Sequence, residues 1–326
     1  MLVQLVLEVT YKCNHDCIFC YNCWKHEYPV ERELTAAEFG AVLEKMPRSA
    51  QISLSGGEPL LRKDIVEIAQ VAKRRAGHVT LLTTGELLTP KMADELTKVG
   101  VFIQIPLHGT EKNHDGMTRR KGSYRKALEA MALLSEKRIP FGTSTVVCSD
   151  NIDEFHTILQ IVSAMGARES IAIRFLPGGE GLKHPELMMD RKQTKRMMEC
   201  LEEASRRYGL RCALGAPNLP CIIDEKPFKR INFGGCGAGL EWFTVDPSGR
   251  LRICNHSPTI LGDLRNQEFK DILRHPLLEK LKKMELVPQK CGGCWHRERC
   301  RGGCRAVAET LYNDWSAPDP LFRISR

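Results

Sequence analysis

Four cysteines lie within eleven residues near the start of the sequence, in the segment YKCNHDCIFCYNC. The residues before it, MLVQLVLEVT, have no basic region, no long apolar core and no small-residue cleavage site, so they do not form a secretory signal. No apolar stretch reaches the roughly 20 residues that span a membrane. We therefore expect a cytoplasmic protein, in which clustered thiols are more often metal-binding or catalytic than disulfide-bonded.

The chain is long enough for a sizeable core and two domains. Its 326 residues are 42% hydrophobic and 27% charged, which is ordinary for a folded protein. The net charge of +8 is spread over the chain, with local runs at residues 73–75 and 119–121. Solvated helix faces account for most of such an excess, so charge alone does not predict binding to nucleic acid. The positive charge is also compatible with an acidic substrate.

Six strand patterns alternate with six helix patterns between residue 1 and about residue 208. The predicted strands are 2–9, 50–55, 78–84, 101–107, 140–147 and 170–176, and the predicted helices are 35–46, 63–75, 90–100, 123–138, 151–166 and 191–209. Such repeats predict an α/β fold with a parallel sheet covered by helices, as a doubly wound sheet or an open barrel.

The composition and the pattern of the sequence change after this repeated region. Residues 209–235 are rich in Pro and Gly and are expected to connect the core, 1–208, to a smaller loop-rich domain, 236–326. Short strands are predicted at 241–247 and 249–254, and one helical stretch near 267–284. We expect a domain this small and irregular to need metal for its stability.

Unusual segments follow the first four predicted strands. They are the cysteine segment, SGGEPLL at 55–61, TTG at 83–85 and HGT at 108–110. In a parallel sheet the loops at the carboxyl ends of the strands lie on one face. We therefore expect a shared functional site on that face.

Cys13, Cys17 and Cys20 have the spacing CxxxCxxC, which offers three thiolates from one loop. Four thiolates complete a zinc site or an iron–sulfur cube, whereas three leave one iron of a [4Fe–4S] cluster open to a non-protein ligand. Cys23 complicates the count, because Cys17, Cys20 and Cys23 also form a CxxCxxC series. We interpret Cys23 as a bystander, since the aromatic residues on either side of Cys20 suit an apolar cover over the cluster.

The cysteine segment, the GGEP sequence at 56–59 and the six β-α units together resemble the radical SAM enzymes, over nearly the whole chain. The resemblance implies a partial (β/α)6 TIM-like barrel. It also implies that the open iron is chelated by S-adenosylmethionine (SAM), which one electron cleaves to methionine and a 5′-deoxyadenosyl radical that takes a hydrogen atom from a substrate. A reducing partner of the flavodoxin or ferredoxin type would supply the electron.

The same resemblance points to the residues that bind SAM. Gly56 and Gly57 let the backbone approach the methionyl group, and Glu58 can accept a hydrogen bond from its ammonium. Without the cysteine segment, the motif ending in Pro59 would indicate only a strand-ending turn followed by the start of a helix. Further expected contacts, after the third strand, are Thr83 and Thr84.

Two more SAM contacts are expected after later strands. The segment IPLHG resembles one that is often Ser-Leu-Asp-Gly in the family, and Pro106 and His108 depart from it. His108 remains an expected contact of SAM. Arg174 on the sixth predicted strand is expected to pair with the SAM carboxylate or to form a structural salt bridge. The neighbouring residues expected to fix the loop after strand four are His114 and Asp115.

A second cysteine set lies in CGGCWHRERCRGGC, with the spacing CX2CX5CX3C. Alone it indicates a zinc ribbon, which on a basic chain would suggest a nucleic-acid module. Combined with the upstream pattern of Cys236, Gly249 and Cys254, it resembles the SPASM extension of radical SAM enzymes, which binds auxiliary iron–sulfur clusters. Such clusters can accept an electron from a substrate radical, so we expect a net oxidation such as a cross-link, with redox-neutral epimerisation as the alternative.

The SPASM resemblance divides the cysteine ligands between one or two auxiliary clusters. The outer cluster would use Cys291, Cys294 and Cys300, and the inner cluster Cys236, Cys254 and Cys304. Phe322, in APDPLF, stands where the family usually has a last cysteine, so the outer cluster is one thiolate short. Asp319 is expected to supply an oxygen there, or the position stays open or binds an external ligand. Cys221 is a candidate fourth ligand of the inner cluster, with a buried apolar cysteine as the alternative.

Three further cysteines, Cys148, Cys200 and Cys212, fit no ligand spacing and are expected to be buried small hydrophobes.

Proteins with a SPASM extension mostly modify peptides or proteins, so the resemblance implies oxidative maturation of a ribosomally made peptide or of a protein. Asn255 follows Cys254 at the position where sulfatase maturases have a catalytic aspartate, which counts against that activity. Oxidation of a small molecule in haem or cofactor biosynthesis is the alternative, and a zinc-binding nucleic-acid module is the non-enzyme alternative. Because the first strand begins at about residue 2, we expect no preceding peptide-recognition domain, and a separate protein or an exposed sheet edge would hold the peptide.

Overall fold

The structure, a computed structural model, describes residues 3–25 and 32–324. The chain forms two compact units that are interleaved along the sequence. The first comprises Met1–Asn14, Asn22–Gln104 and Gly237–Glu285, and the second comprises His15–Tyr21, Ile105–Cys236 and Leu286–Arg326. Each unit therefore contains residues from both the predicted core and the predicted auxiliary domain.

The first unit is built on a mixed sheet. Its strands are β1 (Val3–Glu8), β2 (Ser49–Ser55), β3 (Ala76–Leu82), β4 (Val101–Pro106), β9 (Trp242–Val245), β10 (Arg250–Arg252) and β11 (Ile260–Asp263). Strands β9, β1, β2, β3 and β4 are parallel in that order, and β10 and β11 continue the sheet beyond β9 in antiparallel pairs. Leu5, Leu7, Ile52 and Leu54 are at most 1% exposed, as expected for parallel strands that are covered on both faces.

Helices cover the strands of the first unit. They are α1 (Ala36–Glu44), α2 (Ile65–Arg75), α3 (Pro90–Val99), α8 (Phe269–Ile272) and α9 (Pro276–Lys282). The start of α1 is fixed by a capping box between Thr35 and Glu38. The end of α3 is fixed by Gly100, which has a left-handed backbone conformation.

The second unit contains a parallel sheet of four strands, in chain order. They are β5 (Phe141–Val147), β6 (Glu169–Arg174), β7 (Arg211–Leu214) and β8 (Ile231–Phe233). Its helices are α4 (Glu111–Thr118), α5 (Ser123–Glu136), α6 (Phe155–Ala164), α7 (Arg191–Tyr208), α10 (Arg297–Cys300), α11 (Arg305–Tyr312) and α12 (Leu321–Ile324).

All six predicted strand–helix pairs are present, although residue 2 of the first predicted strand lies outside the described residues. Three features differ from the prediction. Helix α4 was not predicted, because its sequence EKNHDGMT carries almost no apolar periodicity. The segment 209–235, predicted as a connection, contributes β7 and β8 to the sheet, and the helical stretch 267–284 is broken in two before Pro276.

Among the helices of the described ranges, none has both the length and the apolar character that a membrane crossing requires.

Candidate active site and metal centres

In the first unit, the loop after β2 lies directly against the chain that leads to the first cysteine. The N–H of Gly57 donates to Thr10 O at 2.8 Å, and the N–H of Glu58 donates to Lys12 O at 2.8 Å. A Cβ atom on Gly57 would lie 1.9 Å from Lys12 O, and Gly56 has a φ of +128°. Only glycine permits both the close approach and this backbone conformation. The two glycines therefore set the distance between the β2 loop and the start of the cysteine segment.

The carboxylate of Glu58 is buried and accepts hydrogen bonds from both neighbouring loops. Its Oε1 accepts from Thr83 Oγ1 at 2.6 Å and from Leu60 N–H at 2.9 Å, and its Oε2 accepts from Thr84 N–H at 2.7 Å. Burial raises the pKa of Glu58, and these hydrogen bonds oppose the rise. Glu58 thus joins the loop after β2 to the loop after β3, a role that the motif did not predict. Pro59 opens the short 3-10 helix Pro59–Leu61 that follows.

The residues of these loops fit a polar ligand such as the methionyl part of SAM. The hydroxyl of Thr84 is buried and makes no hydrogen bond of normal geometry within the described residues, although it is near enough to Glu58 to help lower the pKa of that carboxylate. A buried hydroxyl without a well-formed hydrogen bond has room for a further partner, such as a ligand or an ordered water.

Cys17 and Cys20 lie in the second unit on a turn that other backbone segments hold in place. The N–H of Cys20 donates to Cys17 O at 3.3 Å, and the N–H of Gly181 donates to Cys20 O at 3.2 Å. Between the two cysteines, the N–H of Ile18 donates to Met117 O at 2.9 Å, at the end of α4. The sequence did not predict α4, so this support for the cysteine turn was missed.

The ring of Phe19 packs on a buried pair of histidines in the second unit. Its centroid lies 4.5 Å from that of His108 in an edge arrangement. His108 Nδ1 accepts from Val146 N–H at 3.2 Å, and His114 Nδ1 accepts from His108 N–H at 3.0 Å. Because both Nδ1 atoms accept, both rings are neutral with their proton on Nε2.

The electrostatics of the two histidines agree with this tautomer. Burial lowers the pKa of His108 well below its usual value and that of His114 to about 4. His108, an expected SAM contact, is 5% exposed and supports Phe19. Asp115 accepts from Tyr124 N–H at 2.9 Å and from Ser123 Oγ at 3.0 Å, so the loop-fixing role expected of His114 and Asp115 is confirmed.

Arg174 forms the structural salt bridge that was one of its two expected roles. Its Nη2 lies 2.6 Å from Asp319 Oδ2, and the two side chains are 8% and 0% exposed. The same Oδ2 accepts from Cys304 N–H at 2.8 Å. Gly303 makes room for this contact, because a Cβ there would lie 2.5 Å from Asp319 Oδ2. Asp319 therefore holds the backbone of Cys304 in place. This arrangement does not support the expectation that Asp319 supplies an oxygen to the outer cluster.

The cysteines of the second set are mostly buried and fall into two neighbourhoods. Burial, followed by the charge of Cys236, raises the pKa of Cys304 to about 12. Burial, followed by the charges of Cys294 and Cys291, raises the pKa of Cys221. The charge of Cys236 therefore acts on Cys304, and the charges of Cys291 and Cys294 act on Cys221.

Several other cysteines are buried. Cys254 of the first unit is 8% exposed, and the three cysteines without ligand spacing, Cys148, Cys200 and Cys212, are buried as predicted. Within residues 3–25 and 32–324, no three Cys, His, Asp or Glu side chains converge closely enough to surround a single metal ion.

The exposed Cys23 borders a buried polar network of the first unit. Its Sγ lies 3.6 Å from Nη1 of Arg252, and Arg252 forms a buried salt bridge with Glu8. Glu8 also accepts from Trp24 Nε1 at 3.2 Å, and burial raises its pKa against the opposing charge of Arg252. Glu8 Oε1, Arg252 Nε and Thr244 Oγ1 are buried without a hydrogen-bond partner in the described residues. The only sequence signal for this network is a charged residue at the end of an apolar strand.

Comparison with protein families and known proteins places these sites in a class. The model of the radical SAM superfamily matches residues 7–162, and that of SPASM, an iron–sulfur cluster-binding domain, matches residues 236–295. The chain belongs to the radical SAM superfamily. Within it, the chain is an enzyme with a SPASM domain, whose cofactors are a [4Fe–4S] cluster, SAM and auxiliary iron–sulfur clusters. The zinc-ribbon interpretation is thereby set aside.

Individual known proteins are similar to this chain over most of their length. The chain is 26% identical over 331 residues to the AdoMet-dependent heme synthase of Methanosarcina barkeri, covering 96% of this chain and 94% of that protein. It is 27% identical over 338 residues to the PqqA peptide cyclase of Gluconobacter oxydans, covering 99% and 91%. The structure of Streptococcus suis SuiB bound to the precursor peptide SuiA has a TM-score of 0.79 at 16% identity, covering 98% of this chain and 75% of that chain. This likeness confirms the predicted α/β fold with a partial barrel and a SPASM domain.

Proposed function

We propose that this enzyme oxidatively modifies a ribosomally made peptide or a protein, for example by forming a cross-link. The observation that carries the proposal is the match to PqqA peptide cyclase over 99% of this chain and 91% of that protein. The likeness to SuiB, whose structure contains its precursor peptide, supports the same class of substrate.

We infer that Cys13, Cys17 and Cys20 hold the first cluster and that Gly56 and Gly57 contact SAM. The other inferred SAM-binding residues are Glu58, Pro59, Thr83 and Thr84. When bound, these cofactors supply a 5′-deoxyadenosyl radical that abstracts hydrogen from the substrate. The chain itself contributes the close contact between the glycine loop and the start of the cysteine segment, the buried hydroxyl of Thr84 and the hydrogen bonds through which Glu58 keeps the two loops together.

The second unit contributes both neutral and charged groups around Cys17 and Cys20. His108 and His114 are neutral, and Phe19, between the two cysteines, packs against the ring of His108. Beside the same turn, Arg119 forms ion pairs with Asp16 at 3.2 Å and with Glu180 at 3.0 Å. Nearby charge, burial and hydrogen bonding are the means by which proteins set cluster potentials. Oxidation of the substrate then requires an electron acceptor, which the auxiliary clusters provide when bound.

The proposed partners are a peptide or protein substrate, a flavodoxin- or ferredoxin-type reductant and a separate peptide-recognition protein, all in the cytoplasm. Two strands offer edges for a peptide, because β11 ends the sheet of the first unit and β8 ends that of the second. An extended peptide can add to such an edge through backbone hydrogen bonds.

A second candidate function is oxidation of a haem precursor. The match to AdoMet-dependent heme synthase, over 96% of this chain and 94% of that protein, favours it. The two candidates differ in substrate, while the cofactors and the radical chemistry are shared.

The deciding experiment incubates anaerobically reconstituted protein with SAM, a reductant and either a small peptide encoded beside this protein or an iron porphyrin precursor. Mass spectrometry follows 5′-deoxyadenosine and the substrate. We expect the peptide to lose two hydrogen atoms and the porphyrin to be unchanged. Conversion of the porphyrin alone would replace the proposal by the second candidate.

Two sets of variants serve as controls in that assay. Replacing Cys13, Cys17 and Cys20 together by alanine should abolish 5′-deoxyadenosine, whereas Cys200→Ala should not. Replacing Cys236 should leave SAM cleavage intact but remove the oxidised product, since the substrate radical then lacks its acceptor. Normal product from the Cys236 variant would restrict the inner cluster to a structural role.

A further inference from the structure

We propose that Cys221 is the fourth thiolate of the outer auxiliary cluster, together with Cys291, Cys294 and Cys300. The proposal rests on the SPASM assignment, which implies auxiliary clusters, and on contacts within the second unit. It replaces the expectation that Cys221 completes the inner cluster.

The turn that carries Cys221 is packed onto Cys300. Leu219 is fully buried in an apolar cluster that includes Cys300. The carbonyl oxygen of Asn218 lies 3.8 Å from Cys300 Sγ. The N–H of Ile222 donates to Leu219 O at 2.8 Å, which closes a tight turn with Cys221 at its tip. The position of Cys221 relative to Cys300 is therefore fixed by the packing of its immediate neighbours.

A second attachment holds the same turn to the helix that carries Cys300. Asn218 Nδ2 donates to Glu225 Oε1 at 2.9 Å. The other carboxylate oxygen of Glu225 forms an ion pair with Arg299. Arg299 directly precedes Cys300 in α10, so the segment 218–225 is attached to α10 at two adjacent residues.

The other three cysteines lie on one continuous run of turns that ends in α10. The N–H of Cys294 donates to Cys291 O at 3.1 Å, and the N–H of Arg297 donates to Cys294 O at 3.0 Å. Arg297 begins α10 and Cys300 ends it. The turn that carries Cys221 is therefore attached to the same segment that carries the other three thiols.

The carboxyl-terminal segment, from which the family usually supplies the last ligand, offers none here. Phe322 occupies the expected position and packs against the apolar cluster around Cys300. Lys290 Nζ lies 3.5 Å from the centre of its ring. Asp319 is engaged by Arg174 and by the N–H of Cys304. A thiolate from the upstream turn thus takes the place of the absent downstream cysteine.

The first test uses protein in which Cys13, Cys17 and Cys20 are replaced by alanine, so that only auxiliary iron is present. In this background, Cys221→Ser should change the electron paramagnetic resonance spectrum of one reduced cluster and favour loss of one iron on mild oxidation. Cys200→Ser is the matched control in the same unit and should leave the spectrum unchanged.

The second test assigns the affected cluster. When Cys236 and Cys304 are also replaced, only the outer cluster is left, and Cys221→Ser should alter its spectrum. When Cys291 and Cys294 are replaced instead, the inner cluster is left, and Cys221→Ser should have no effect. The reverse pattern, or unchanged spectra in both backgrounds, would overturn the proposal.

A third readout does not depend on spectroscopy. Although its pKa is raised, the side chain of Cys221 is exposed, so its thiol should react with iodoacetamide in iron-free protein at alkaline pH, where the thiolate forms. In loaded protein a metal-bound thiolate is protected, and we expect alkylation at residue 221 to be slower by roughly tenfold or more. Equal rates in both forms would contradict ligation. A wild-type protein that binds no auxiliary iron at all would instead refute the SPASM function, so the two failures are distinguishable.

Discussion

Gly57→Ala tests whether the β2 loop sets the position of the first cluster ligand. The added Cβ would lie 1.9 Å from Lys12 O, 2.4 Å from Lys12 C and 3.0 Å from Cys13 N. All three are backbone atoms, so no side-chain rotation can relieve the contact, and the two segments must separate by roughly 1 Å or more. Metal–ligand distances are held to within about 0.2 Å, so a shift of this size at Cys13 is incompatible with normal ligation.

The energetic effect can be worked out from the same contacts. Separation breaks the hydrogen bonds from Gly57 N–H to Thr10 O and from Glu58 N–H to Lys12 O, each 2.8 Å long. Each such bond contributes about 1 kcal/mol net, and leaving its buried partner unsatisfied adds to the loss. We expect the free energy of unfolding to fall by about 2–4 kcal/mol.

The assay combines urea unfolding with iron analysis and 5′-deoxyadenosine formation in anaerobically reconstituted protein. Gly116→Ala is the matched control, because a Cβ at that position in α4 meets nothing within 4 Å. The control should keep all its iron and be stabilised by about 0.4–1 kcal/mol. A Gly57→Ala protein with full iron, normal SAM cleavage and an unchanged urea midpoint would refute the reasoning.

Three more predictions follow from buried groups. Asp319→Asn leaves the Arg174 guanidinium buried without its partner, so urea unfolding should show a loss of about 3–5 kcal/mol; a wild-type midpoint would contradict a buried pair. Glu58→Gln should weaken SAM binding by about 1–3 kcal/mol in calorimetry, since Gln keeps one acceptor oxygen but turns an NH2 donor towards the N–H of Leu60 or of Thr84; unchanged affinity would contradict that role. Because the folded protein holds His114 neutral to a pKa of about 4, the unfolded chain takes up its proton first, near pH 6.5. His114 should therefore have no effect above about pH 6.5 and lower the free energy of unfolding by about 3 kcal/mol towards pH 4, and His108, whose pKa is also lowered, adds to this fall. His114→Gln should make the slope shallower without removing it, and an equal slope in both proteins would disprove the assignment.

Local sequence patterns predicted the elements and the motif loops, because strand and helix periodicity and turn residues act over a few positions. They did not predict α4, whose helical state depends on what it packs against. Local sequence patterns also could not identify which residues far apart in the chain form pairs. Arg174 and Asp319 are 145 residues apart, and nothing near Arg174 distinguishes that carboxylate from the SAM carboxylate. Sequence spacing made Cys221 a candidate for the inner cluster, whereas the packing of Leu219 with Cys300, 81 residues further along the chain, is the basis for our proposal that it serves the outer one.

The pairing of β1 with β9 has a consequence for how the chain is made. Leu5 pairs with Phe243, so the strand that completes one side of β1 follows it by about 240 residues. At roughly 5–20 residues/s, a ribosome delivers β9 some 10–50 s after β1. During that interval the edge of β1 and the buried carboxylate of Glu8 lack the strands that cover them, since Arg252 is also still to come. A fragment ending at residue 235 would keep this open edge permanently, so the barrel residues should aggregate when expressed without the SPASM domain.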